Sequence, residues 1–175
     1  MSQHLNNLEL DKSTIKCRGP LGRFKYLGDG NAEIITQLEP KKDKLVKFNK
    51  LLCIAGGTGI TPIYQIINAV YSNQDPTDII LIFGNKTTKD FLLKDELDNI
   101  QRCNKINIKI IYTIDKSEEG WEGEVGFINK DMISKYCKNI EDNRFVLTCG
   151  PPPMTKSLPP ILKQLGMKDD NYFKF

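Results

Sequence analysis

Histidine is almost missing from this chain of 175 residues: His4 is the only one. Cysteine is sparse and unpaired in pattern. Cys17, Cys53, Cys103, Cys137 and Cys149 form no C-x-x-C motif. One histidine and scattered thiols do not make a zinc site, so no metal centre is expected. An odd number of cysteines fits a reducing compartment better than a disulfide scaffold, and a cytoplasmic location is expected. No run of apolar residues approaches the roughly 20 of a membrane span. The opening MSQHLNNLEL lacks the basic segment and apolar block of a signal peptide. Charge of one sign is not in large excess either. A net +3 is too small to argue for nucleic acid. It leaves two readings of the lysines, steering of an acidic protein partner or plain solubility.

The residues present are those of a globular chain. Hydrophobic residues make up 39% and charged residues 27%, enough for a packed core and against disorder. The length suits one domain with part of a second. Through the first forty-odd residues the chain reads as β structure. Thr14–Arg18, Phe24–Leu27 and Ala32–Gln37 are short strands among turn residues. Glu39–Lys44, charged and carrying Pro40, reads as a linker or exposed loop.

The rhythm then changes. Short apolar runs at Leu51–Ala55, Ile79–Phe83, Ile106–Ile114 and Phe145–Cys149 are strands, and Tyr172–Phe175 is a last one. Helical spacing fills Ile63–Val70, Phe91–Ile100 and Asn129–Cys137, and again Met154–Leu165, where Pro159-Pro160 should interrupt it. Alternating strands and helices imply an α/β fold. The expected form is a five-stranded parallel, Rossmann-like sheet with helices on both faces. Residues 46–175 would form this unit, and residues 1–45 a small β portion before it.

Two stretches sit where such sheets hold ligands, at the carboxyl ends of strands. The first is Cys53–Pro62, CIAGGTGITP. Gly56, Gly57 and Gly59 allow close approach to the main chain. Thr61 suits an N-cap and Pro62 a first helical turn. The helix N-terminus would then face an anion, for which a dinucleotide diphosphate is the natural candidate. The pattern is neither G-x-G-x-x-G nor a P-loop, and a purely structural turn is the alternative. The second stretch is Thr148–Met154, TCGPPPM. Gly150 gives the chain freedom to turn, and the three prolines after it are stiff. Cys149 is soft enough to lie against a flat ring, or is an ordinary buried thiol. As a nucleophile it would have only the distant His4 to activate it.

With these two motifs the sequence resembles the NADH–cytochrome b5 reductase family of ferredoxin-reductase-like flavoenzymes. Weaker matches are Arg18-Gly19-Pro20 with Gly22, Gly84–Thr87 with Lys89-Asp90, and Tyr112–Asp115 followed by Trp121 and Gly126–Ile128. The terminal Phe175 fits as well. The resemblance implies a flavin-holding β-barrel followed by an NADH-binding α/β domain. Hydride would pass from NADH to FAD, and single electrons to cytochrome b5 or a similar haem protein. It implies catalytic roles for Thr61 and Cys149. It places Gly56, Gly57, Thr58, Gly59 and Thr61 by the dinucleotide and flavin, and Cys149, Gly150 and Pro151 by the nicotinamide. Pro62, Asn85, Pro152 and Met154 complete the cofactor-binding set, with Phe175 near the isoalloxazine. Asp115 matches the acidic residue tied to a preference for NADH: a carboxylate accepts from ribose hydroxyls and repels a 2′-phosphate.

The front of the chain departs from that pattern. None of Arg18, Arg23, Arg102 and Arg144 begins the family's R-x-Y-[ST] flavin motif. Met1–Leu5 resembles part of its G-K-M-S-x-x-L segment, with Ser2 as the residue that would touch the FAD diphosphate. The chain therefore reads as the end of the barrel plus a whole nucleotide domain, and a monomer is expected. The full-length protein could be anchored on the endoplasmic reticulum or mitochondrial outer membrane. Two alternatives stay open: the reductase end of a nitrate reductase, or an NAD-binding module that is redox-inactive in this form.

Overall fold

The structure, a computed structural model, describes residues 6–9, 12–16, 22–38, 40–137 and 144–175. The first sheet is an antiparallel meander of β1 (Phe24–Gly28), β2 (Asn31–Leu38) and β3 (Lys41–Lys47). The turn between β1 and β2 passes through three positive φ angles, +98° at Gly28, +51° at Asp29 and +68° at Gly30.

Strand β3 corrects the expectation of a linker at Glu39–Lys44. Its lysines misled that reading, but an edge strand tolerates them. Lys42 and Lys47 are exposed and Lys44 pairs with Asp170 at 2.8 Å, while Val46 faces Ala32 across the ladder. The strand expected at Thr14–Arg18 is also corrected in part. Thr14–Lys16 carry no regular structure, and no strand among the described residues pairs with them. The rest of that segment, Cys17 to Leu21, lies outside the described residues.

The second sheet is parallel, in the order β7-β6-β5-β4-β8-β9. The five expected strands are β4 (Lys50–Gly56), β5 (Asp78–Asn85), β6 (Ile108–Ile114), β8 (Arg144–Cys149) and β9 (Tyr172–Lys174). A two-residue strand, β7 (Glu124–Val125), extends the edge beside β6. Among the described residues four α-helices cover the faces: α1 (Ile60–Asn73), α2 (Lys94–Cys103), α3 (Lys130–Tyr136) and α4 (Pro152–Gln164). Strand β4 shows why its sequence has no polar alternation. Leu51, Cys53 and Ala55 pack towards α1 and the meander, while Leu52 and Ile54 pack towards α3 and α4. Both faces are covered, so every position must be apolar.

The chain leaves β4 towards β5 on one side, and β8 later pairs with β4 on the other. This reversal opens a crevice at the carboxyl ends of the strands. Among the described residues no helix is long and apolar enough to cross a membrane.

Pro159 and Pro160 do not interrupt α4, contrary to the sequence expectation. Both are exposed, while Leu158 and Leu162 on the inner face are buried and hold the helix on the sheet. The prolines remove the donors that Thr155 and Lys156 carbonyls would otherwise meet. Pro160→Ala should restore one of them and raise stability by about 1–2 kcal/mol. That is less than the roughly 3 kcal/mol of a fully intolerant interior site, because the Lys156 carbonyl has water as an alternative. Urea unfolding of the two proteins checks it.

Candidate functional site

At the carboxyl ends of β4, β5 and β6 lies a cavity of about 900 Å³. That is near the top of the range of roughly 300–1,000 Å³ for small-molecule and cofactor sites. Two loops build its floor. One is the 3₁₀ turn Gly57–Gly59 between β4 and α1; the other runs from Cys149 to Met154. They touch backbone to backbone, and this explains most of the glycines. A Cβ on Gly59 would stand 2.2 Å from the Cys149 carbonyl oxygen. One on Gly150 would stand 3.0 Å from the Gly56 nitrogen, and one on Gly56 would meet the Met154 sulfur and the Pro151 ring at 2.9 Å. Gly57 differs. Its φ is +54°, and the nearest atom to its Cβ position is Asn85 Oδ1 at 4.0 Å. It opens backbone to the cavity.

Of the residues expected at the site, Gly56, Gly57, Thr58, Asn85, Asp115, Pro151 and Met154 line the cavity together. Gly59 and Gly150 stand behind them as spacers. Cys149 ends β8, half-buried, and burial pushes its thiol up. It is a neutral thiol at neutral pH, unsuited to nucleophilic attack. Pro62 is half-buried in the first turn of α1, and Pro152 is the exposed first residue of α4.

Thr61 is not the N-cap. Gly59 occupies that position, and Thr61 sits within the helix with its hydroxyl donating to the Thr58 carbonyl at 3.1 Å. The 3₁₀ turn runs straight into α1, so the helix begins before the residue best suited to cap it. Phe175 lies off the cavity. Its N–H donates to the Thr148 carbonyl at 3.0 Å, and its ring meets Phe24 at 5.8 Å and Phe173 at 5.1 Å. Ser2 lies outside the described residues.

The mouth carries groups not among those expectations. Lys86, Lys89 and Asp90 come from the loop after β5, and Phe127, 79% exposed, from the segment after β7. Their sequence signal was the resemblance of Gly84–Thr87 with Lys89-Asp90, and of Gly126–Ile128, to family segments. Asn85 is the most informative wall residue. It is 8% exposed, and its Nδ2 has no partner among the described residues. An unpaired buried amide costs about 1–3 kcal/mol, which a ligand acceptor would recover. The orphaned amide, the bare Gly57 backbone and the volume together fit a nicotinamide dinucleotide.

Residues 53–159 match the family described as "Oxidoreductase NAD-binding domain". The chain is 39% identical over 168 residues to a nitrate reductase [NADH] of Spinacia oleracea, covering 95% of this chain and 17% of that protein. It is 38% identical over 177 residues to NADH-cytochrome b5 reductase 2 of Danio rerio, covering 100% of this chain and 57% of that one. Among solved structures it is similar to the cytochrome b5 reductase domain of Ulva prolifera nitrate reductase. There the TM-score is 0.85 at 34% identity, over 99% of this chain and 63% of that chain. The chain thus spans less than two thirds of each of these relatives. With more than half of its length matched by one family and its glycine loop at the carboxyl edge of a parallel sheet, the chain belongs to the oxidoreductase NAD-binding domain family.

Proposed function

We propose that the cavity binds NADH as the nucleotide domain of a flavin-dependent reductase of the NADH–cytochrome b5 reductase type. The observation that carries this reading is Asn85, a cavity-lining residue whose buried amide nitrogen has no partner among the described residues. Gly57 and Thr58 would present main-chain donors to the diphosphate, assisted by the start of α1. Asp115, whose carboxylate has no side-chain partner among the described residues, would accept from a ribose hydroxyl at the mouth. Pro151 and Met154 would bound the nicotinamide, with the Cys149 thiol at the strand end beyond them. Phe175 would face the isoalloxazine from the Phe24–Phe173 side.

When bound, NADH supplies a hydride and FAD divides it into single electrons. The chain's own residues bind, orient and keep water from the reacting face. A haem protein is the proposed acceptor, by analogy with the Danio rerio relative. The same site geometry serves the reductase portion of a nitrate reductase, and the Ulva prolifera likeness favours that as the second reading.

Asn85→Leu tests the site. It keeps the γ-branched shape and removes the donor. NADH affinity of the purified chain should fall roughly tenfold, the scale of one hydrogen bond to a charged or strongly polar acceptor. Isothermal titration calorimetry measures it. Unchanged affinity would place the nucleotide elsewhere.

A further inference from the structure

Asp115 sits on the loop that follows β6, and that loop is held at two points. Near its start the Asp115 N–H donates to the Asn85 carbonyl at 3.1 Å. Three residues on, Glu118 reaches across to the loop after β5. Its carboxylate accepts from the Thr88 hydroxyl at 2.6 Å and from the Thr88 N–H at 3.3 Å. The loop after β5 is a firm post. Thr87 and Asp90 close a capping box on each other, the Thr87 hydroxyl donating to Asp90 Oδ2 at 2.7 Å. Phe91 and Trp121 add a stacked contact, with centroids 5.8 Å apart and planes 13° apart.

The same post carries Lys86 and Lys89, which line the same cavity as Asp115. These lysines would attract a 2′-phosphate, and Asp115 would repel it. Discrimination between NADH and NADPH then depends on how firmly Asp115 is held against the lysines. A carboxylate on a loose loop would swing towards water and lose both its ribose contact and its repulsion.

We propose that Glu118 is a positioning residue for nucleotide discrimination: by gripping Thr88 it holds Asp115 at the cavity mouth, so that NADH is preferred over NADPH. The inference rests on the reading of the cavity as an NADH site. It assigns the preference to a pair of residues 30 apart in sequence that do not themselves line the cavity.

The test is the ratio of NADH to NADPH affinity of the purified chain, measured by calorimetry for wild type and four variants. Glu118→Ala removes the grip and Thr88→Val its shorter bond, that of the hydroxyl, and each should lower the ratio about fivefold, the scale of one net hydrogen bond. Glu118→Gln keeps an oxygen that accepts from the Thr88 hydroxyl, and its ratio should stay within about twofold of wild type. Asp115→Ala sets the full size of the effect. A ratio unchanged in Thr88→Val overturns the proposal. So does an equal fall in Glu118→Gln and Glu118→Ala, which would mean that charge alone acts. If wild type binds neither nucleotide, the NADH reading itself fails and the proposal falls with it; if wild type binds NADH and Asp115→Ala leaves the ratio unchanged, the proposal alone is overturned. Melting temperatures close to wild type in Thr88→Val and Glu118→Gln keep these outcomes separate from misfolding.

Discussion

Gly59→Ala is expected to destabilise the protein by about 3 kcal/mol and to abolish nucleotide binding, the upper end of what overpacking costs. The local conformation argues the other way. Gly59 has φ −62° and ψ −7°, which alanine adopts readily, and alanine is the better helix former by about 1 kcal/mol. Sterics decide. The new methyl would stand 2.2 Å from the Cys149 oxygen and 2.4 Å from its carbonyl carbon. Both are main-chain atoms of a strand end, and no side chain can swing aside. The two loops must separate, and the floor of the cavity opens with them. Gly57→Ala is the control with opposite causes. Its space is free, and only the positive φ costs, about 1 kcal/mol. It should stay folded while its methyl intrudes on the bound nucleotide. Urea midpoints with calorimetric titration separate the two glycines. A Gly59→Ala protein as stable as wild type would show that the loops are not close-packed.

Removing the Asp75 carboxylate should be as costly. Asp75 follows α1, is 3% exposed, and receives four donors. The Thr77 N–H donates at 2.9 Å, the Thr77 hydroxyl at 2.5 Å and the Tyr26 hydroxyl at 2.5 Å, with the Asp29 N–H as the fourth. These bonds fasten the meander to the parallel sheet and hold Asp29 at its positive φ. Asp75→Ala strands several buried donors, and a loss of about 3 kcal/mol or more is expected.

The pH dependence has a definite sign. Burial pushes the Asp75 carboxyl up, but the bonds from Thr77, Tyr26 and Asp29 outweigh it and hold it below the usual carboxylate range. Its contribution is therefore complete above the unfolded value near 3.9 and is lost as pH falls through the lower folded value. Tyr26 behaves inversely. Burial, with the bond to Asp75, raises its phenol to about 12. That contribution is complete below the ordinary tyrosine value near 10 and is lost as pH rises towards 12. Urea midpoints across both ranges check it: Asp75→Asn should flatten the acid limb and Tyr26→Phe the alkaline one.

Residue type announced the parallel sheet because burial on both faces leaves one kind of strand. LLCIA and IILIF have no second reading at that length. Strand β3 was hidden for the opposite reason, since Lys41, Lys42 and Lys44 look the same on an edge strand as on a loop. Thr61 was placed at the cap from its chemistry, whereas the 3₁₀ turn had already started the helix two residues earlier. The glycine loop and Asp115 were found from local motifs. The orphaned amide of Asn85 and the reach of Glu118 to Thr88 were not, because each depends on what lies opposite in space.

The only tryptophan of the chain is the one stacked on Phe91, with its indole N–H donating to the Glu124 carbonyl at 2.8 Å. Intrinsic fluorescence is thus a local instrument in this protein. It watches the rim of the cavity, while far-ultraviolet circular dichroism watches the helices and sheet. If the loop after β6 works free before the core melts, the emission changes at a lower temperature than the ellipticity. The interval between the two curves then measures how much more easily the rim opens than the domain unfolds.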